Sequence, residues 1–154
     1  MNDGSLKTIW LRTAAVAAAV VLVDQITKSW AEDRLADDVI HVFGTLQFAL
    51  AYNRGVAFGL GAGVAPVLVS LAVVGAVLAL IGKQIRLNSM SSIAVGLLLG
   101  GAIGNVADRL FRGHGGAVVD FIDLQWWPVF NVADAAIVVG ALILVLFGSK
   151  RERV

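Results

Sequence analysis

Apolar positions along this chain gather into four long runs, each close to the ~20 residues a helix needs to cross a ~30 Å hydrocarbon core. They predict spans over about 8–30, 64–81, 91–110 and 129–147. Glycines inside the second and third runs (Gly75, Gly96, Gly100, Gly101, Gly104) suit close helix packing in lipid, although small residues are also simply tolerated there. The intervening segments 31–63 and 111–128 are more polar. Residues 41–52, HVFGTLQFALAY, alternate in part, which predicts one or two short strands. They lead into a glycine-bounded loop, Asn53 to Gly59. A glycine cluster, Gly113-His114-Gly115-Gly116, precedes a further possible strand over 117–121. The expected fold is an all-α membrane bundle of four transmembrane helices with a small extracytoplasmic β platform, in a single integral membrane domain over 1–154.

Polar residues break the apolar runs at one level. Trp10 and Trp30 stand ~30 Å apart on a helix, matching two interfacial belts. Asp24 lies ~9 Å below the second belt, Asp134 ~10 Å below Trp127, and Asn105 ~10 Å below Arg112. The third and fourth spans run in opposite directions. Both copies of the tetrapeptide Asn-Val-Ala-Asp, at 105–108 and 131–134, therefore belong to the same half of the bundle. The other half has almost no polar residues.

Composition agrees: 58% of residues are hydrophobic and 15% charged, with a mean hydropathy of +0.85. The first run ends in Asp24-Gln25-Ile26-Thr27-Lys28 and not in a small-residue cleavage region, so it reads as a retained span and not a cleaved leader. With no cysteine there is neither a disulfide nor a thiol nucleophile. Seven of the 12 basic residues (Lys7, Arg12, Lys83, Arg86, Lys150, Arg151, Arg153) lie at one set of span ends, with only Asp3 and Glu152 as acids. Basic loops face the cytoplasm, so both termini are expected inside and the segments 31–63 and 111–128 outside.

Ionisable groups within spans face the bundle interior and commonly mark function. Asp24 and Lys28 share a helix face, either as a plain i, i+4 ion pair or to position a neighbouring group. Asn53 is either a turn residue or an amide that reaches substrate. Asn105, Asp108 and Arg109 share one face, where Asp108 is expected to pair with Arg109 and Arg109 to snorkel. Asn131 and Asp134 fit an N-cap with an acid at N3, yet Asp134 also falls at the level of the other polar groups. Asp120 and Asp123 follow the second glycine cluster, and periodicity does not say which points inward. Neither histidine, His41 or His114, sits in a metal-ligand pattern, and no G-x-S-x-G elbow is present. A carboxylate pair remains. Two close carboxylates share a proton, so one can activate water while the other polarises a carbonyl. A site near one interface suits an enzyme better than a transporter, whose site is expected at the midplane.

Five motifs in order resemble one family. They are Asp24-Gln25-Ile26-Thr27-Lys28, Tyr52 to Gly59, Gly104-Asn105-Val106-Ala107-Asp108-Arg109, Val119-Asp120-Phe121 and Phe130-Asn131-Val132-Ala133-Asp134. Together they resemble the prolipoprotein signal peptidases, or signal peptidase II, of bacterial plasma membranes. The resemblance implies an aspartic endopeptidase that cleaves just before a cysteine already carrying diacylglycerol. It implies four helices, an extracytoplasmic β-cradle and a short mobile periplasmic helix. It assigns Asp120 and Asp134, not Asp123, as the catalytic pair. Asp24, Lys28, Asn53, Asn105, Arg109 and Asn131 become the polar lining that binds substrate.

The implied partners are a diacylglyceryl prolipoprotein, membrane lipid and family inhibitors such as globomycin. A monomer is expected, with no metal, no organic cofactor and no nucleic acid. The rival reading is a small proton- or ion-coupled membrane transporter that uses the same carboxylates as a relay.

Overall fold

The computed structural model describes residues 3–55, 75 and 89–147. The expected second span, 64–81, and the loop beyond Gly55 lie outside the described residues apart from Gly75. Three helices are described: α1 (Asp3–Arg34), α2 (Ser89–Phe111) and α3 (Val132–Phe147). Leu6–Arg34 of α1 and Met90–Phe111 of α2 are long and apolar enough to cross a membrane by length and composition. α3 is apolar but shorter, at 16 residues or ~24 Å. It begins three residues later than the apolar run predicts. Pro128 has no N–H to give a helix, and Asn131 supplies the cap one residue before the helix starts.

α2 lies between the other two helices, and its small residues let them approach. A Cβ at Gly100 would lie 2.7 Å from Val20 Cβ and 2.8 Å from the Ala17 carbonyl on α1. One at Gly101 would run into the Ala133 carbonyl on α3. Neither position tolerates a side chain without helix movement, so close backbone packing is their role. Ala94 and Leu98 pack with Leu144 to form the α2–α3 core. The bundle end opposite the carboxylates is less apolar than the sequence predicts. Thr13, Ser91 and Ser92 are buried there, and the Thr13 hydroxyl donates to the carbonyls of Ile9 and Ser92, each at 3.1 Å.

The predicted platform is an antiparallel three-stranded sheet of order β1-β2-β3, with β1 (Ile40–Phe43), β2 (Leu46–Asn53) and β3 (Val118–Asp123). Both strands of the 41–52 region form, joined through Gly44 at φ 57, a conformation primed hairpin turns demand. The sheet is tied to the end of α1 by an aromatic cluster. Trp30 meets Phe48 and Phe121 edge-on, with ring centroids 5.6 and 6.1 Å apart. Ala31, Leu35 and Phe121 are buried beside them.

Candidate active site

Two local devices bring β3 and the start of α3 together. After β3 the chain turns at Gln125, whose φ is 66 and whose N–H donates to Asp123 Oδ1 at 2.6 Å. It then folds back so that Phe130 exchanges backbone hydrogen bonds with Ile122 at 2.8 and 3.1 Å. This return places Asn131 beside Val119 and Asp120. Asn131 also caps α3: its Oδ1 accepts from the Asp134 N–H at 2.9 Å, and its own N–H lies 3.3 Å from Asp134 Oδ2. The capping reading and the site reading therefore hold at once, because one reciprocal cap fixes a carboxylate that faces Asn105.

The eight residues that the resemblance assigns to the site lie together. The Asn131 side-chain amide donates to Asp120 Oδ1 at 2.7 Å, Asn105 Oδ1 at 3.1 Å and the Val119 carbonyl at 3.2 Å, sharing two N–H bonds among three acceptors. Asn105 donates to Asp134 Oδ1 at 2.7 Å. Asn53 acts twice: its Oδ1 closes a turn with the Gly55 N–H at 2.9 Å, and its amide donates to Asp120 Oδ2 at 3.0 Å. Each carboxylate thus accepts two of these hydrogen bonds, which holds the pair without neutralising it.

Beneath the pair lies a sealed ionic layer. Lys28 is fully buried, and its three ammonium donors reach Asp24 at 2.8 Å, Asp108 at 2.8 Å and Asn105 Oδ1 at 3.1 Å. Asp24 also accepts the Ala133 N–H at 2.9 Å, joining α1 to the first turn of α3. Gly104 makes room for it, since a Cβ there would lie 2.6 Å from Asp24 Oδ2. Asp108 does not pair with Arg109 as the spacing predicts. It accepts from Lys28, Gln25, Arg112 and the Val119 N–H instead. Arg109 remains near Asp120 and Asp134 electrostatically, and its buried Nε has no hydrogen-bond partner among the described residues.

Asp120 and Asp123 sit three apart on one strand and so point to opposite faces. Asp120 is 2% exposed. Asp123 is half-buried and accepts from Gln47 at 2.7 Å, away from the cluster. Burial, and then the charge of Asp134, push the Asp120 carboxyl up to about 6, against the pull of the Asn53 and Asn131 amides and of Lys28. An apolar groove of about 440 Å³ opens beside Asp134, lined by Leu124, Trp126, Trp127, Phe130 and Val138 among others. Sequence reasoning missed Gln25, Glu32, Arg112 and His114, which join this framework from helix ends and a loop. Only the i, i+4 spacing of Asp108 and Arg112, at the C-terminal end of α2, signalled any of it.

The fold is similar to that of solved bacterial membrane enzymes. One, determined in meso at 1.9 Å, superposes with a TM-score of 0.71 at 27% identity, covering 87% of this chain and 90% of its own. A second, at 2.3 Å, gives 0.68 at 27% identity over 92% and 93%. Fold and site together define a small membrane enzyme with a buried carboxylate cluster. The profile of the family described as signal peptidase (SPase) II matches residues 16–149, and the chain belongs to that family. A lipoprotein signal peptidase of Syntrophomonas wolfei is 41% identical over 139 residues, 86% of this chain and 91% of the relative. One of Aquifex aeolicus is 40% identical over 155 residues, 95% and 90%.

Proposed function

We propose that this protein removes signal peptides from bacterial prolipoproteins by aspartic endopeptidase chemistry, with Asp120 and Asp134 as its catalytic pair. Family membership supplies the reaction, and relatives with the activity in their names cover nearly the whole chain. The observation that carries the residue assignment is the Asn131 bridge: one side chain and its backbone N–H hold both carboxylates, one from a strand and one from a helix. Nothing favours a transporter.

In this reading the two carboxyls share one proton. The raised affinity of Asp120 for it makes Asp120 the acid that polarises the scissile carbonyl. Asp134 takes the proton of a water held between them, and that water attacks the carbonyl carbon. The carbonyl oxygen gains charge as it does so. Arg109, whose buried Nε–H has no partner among the described residues, offers a donor for it. The C–N bond then breaks as Asp134 passes the proton taken from water to the leaving amine, the signal peptide departs as a carboxylic acid that ionises in water, and the pair keeps the one proton it began with on Asp120. Asp24 and Lys28 hold the layer below; Asn53, Asn105 and Asn131 orient the carboxylates and the peptide backbone.

The apolar groove beside Asp134 gives the substrate a lipid-like wall. We place the site on the outer face of a four-span bundle with both termini cytoplasmic, following the distribution of basic residues. The substrate is then a diacylglyceryl prolipoprotein whose acyl chains stay in the bilayer, processed by a monomer surrounded by membrane lipid. Globomycin is expected to compete for the same place. The test is incubation of the purified protein with a diacylglyceryl prolipoprotein and detection of the shortened product by mass. Cleavage before the lipidated cysteine supports the reading; an intact substrate in the presence of folded protein refutes it.

A further inference from the structure

Arg112 has no part in the chemistry just described, yet its side chain is only 13% exposed and fully engaged. Its Nε donates to Asp108 Oδ1 at 3.0 Å. One terminal nitrogen donates to Glu32; the other donates to the Gln25 carbonyl and to Gln25 Oε1, each at 3.0 Å. The second oxygen of Asp108 accepts the N–H of Val119 at 3.1 Å, the residue immediately before Asp120. Glu32 is also bonded to the ring of His114. That ring lies 4.5 Å from Tyr52, and Tyr52 is the register partner of Val119 across the sheet. The contacts close a ring: Arg112, Glu32, His114, Tyr52, Val119, Asp108. The start of β3 is held inside it.

Charge shows why a guanidinium is needed. Asp24 and Asp108 are both fully buried and share one ammonium, that of Lys28. One cation cannot neutralise two buried carboxylates. Arg112 supplies the second, and its planar fork reaches Asp108, Glu32 and Gln25 together, which a lysine cannot do. Without it Asp108 is left with only the shared ammonium in direct contact, a cost relieved if Asp108 takes up a proton or turns toward water, either of which loosens its hold on the Val119 N–H.

We propose that Arg112 is a positioning residue for the peptidase reaction, clamping Asp108 in the orientation that holds the Val119 N–H and so fixing where β3 delivers Asp120. The proposal rests on the reading of Asp120 as catalytic. It locates the control of that carboxylate outside the residues that touch it, where the ends of α1 and α2 meet the sheet.

The test is steady-state cleavage of a diacylglyceryl prolipopeptide by Arg112→Met, Arg112→Lys, Glu32→Gln and Arg34→Met, with thermal midpoints measured alongside. Misplacement of a reacting group by the order of 1 Å costs up to about a hundredfold. Arg112→Met is therefore expected to lose about tenfold to a hundredfold in kcat, with KM within about twofold because Arg112 does not line the groove. Arg112→Lys restores charge but not the fork and falls between. Glu32→Gln loses less than Arg112→Met, and Arg34→Met, which removes an exposed arginine, matches the parent. A parental kcat in Arg112→Met, or a loss carried wholly by KM, overturns the clamp. If Arg112→Met does not accumulate as folded protein, Arg112→Lys and Glu32→Gln decide, and parental kcat in both overturns it. Asp120→Asn is assayed in parallel. An active Asp120→Asn defeats the catalytic assignment itself; an inactive one beside fully active Arg112 variants defeats only the clamp.

Discussion

Asn131 donates its side-chain amide to the Asp120 carboxylate at 2.7 Å, across the junction between the β platform and the third helix. The same residue caps that helix and touches Asp134 through its backbone. A helix cap and a scaffold for the proposed catalytic pair are here one side chain. Asn131→Ala is accordingly expected to cost about 1–2 kcal/mol of stability from the lost cap. It is also expected to cost about a hundredfold in kcat from the loosened pair. Thermal unfolding and cleavage assays on one preparation separate the two effects. A stability loss with full activity would reduce Asn131 to a cap.

Lys28 is the only group that reaches Asp24, Asp108 and Asn105 together among the described residues. Removing one partner of a buried ion pair costs about 3–5 kcal/mol, and Lys28→Met is expected to lose an amount of that order. Adding Asp24→Asn to Lys28→Met leaves Asp108 opposite Arg112 and is expected to recover part of the loss. Denaturation of the single and double variants in the same detergent checks this, and a double variant weaker than the single one would contradict it.

Gly104 faces Asp24 at a distance that leaves no room for a methyl group. Overpacking of a filled interior costs about 1–3 kcal/mol. Gly104→Ala is expected to lose that much and to reduce kcat, because Asp24 moves off the Ala133 N–H at the start of α3. Unfolding and turnover measurements on this variant should fall together.

Asp120 gives the fold a pH dependence of definite sign. Its carboxyl is raised to about 6 in the folded protein from an ordinary value of 3.8. Between those values the folded state binds the extra proton, so the group's contribution to stability is fully present below about 3.8 and is lost as pH rises through about 6. Asp120→Asn should remove that slope, so that its stability falls less between pH 4 and pH 7 than the parent's does. Thermal midpoints across this range provide the check; an unchanged slope in the variant would contradict it.

Much of this arrangement is legible in the chain because a membrane makes polar residues conspicuous. Asp24, Asn105 and Asp134 stand out against long apolar runs, and helix rise alone puts them at one level. Their contacts follow: Asn105 to Asp134, and Asp24 to the N–H beside Asp134. The strands of the platform are legible from alternation. Three features are not legible in the apolar pattern. It leaves Asp120 and Asp123 undecided, because a short strand beside glycines does not announce its pleat, and the motif resemblance alone points to Asp120. It overruns the start of α3, which only the capping pattern at Asn131 marks. The Arg112 ring joins residues some 80 positions apart, Glu32 and Gln25 to Arg112, through ordinary surface-type charges. Only the folded backbone shows that they enclose β3.

Cleavage of a diacylglyceryl prolipoprotein by three single variants, Asp120→Asn, Asp134→Asn and Asp123→Asn, measured on protein shown to be folded, bears most directly on the central claim. The account predicts no product above background from the first two and near-parental turnover from the third. Normal turnover by Asp120→Asn or Asp134→Asn, or complete loss in Asp123→Asn, would contradict it.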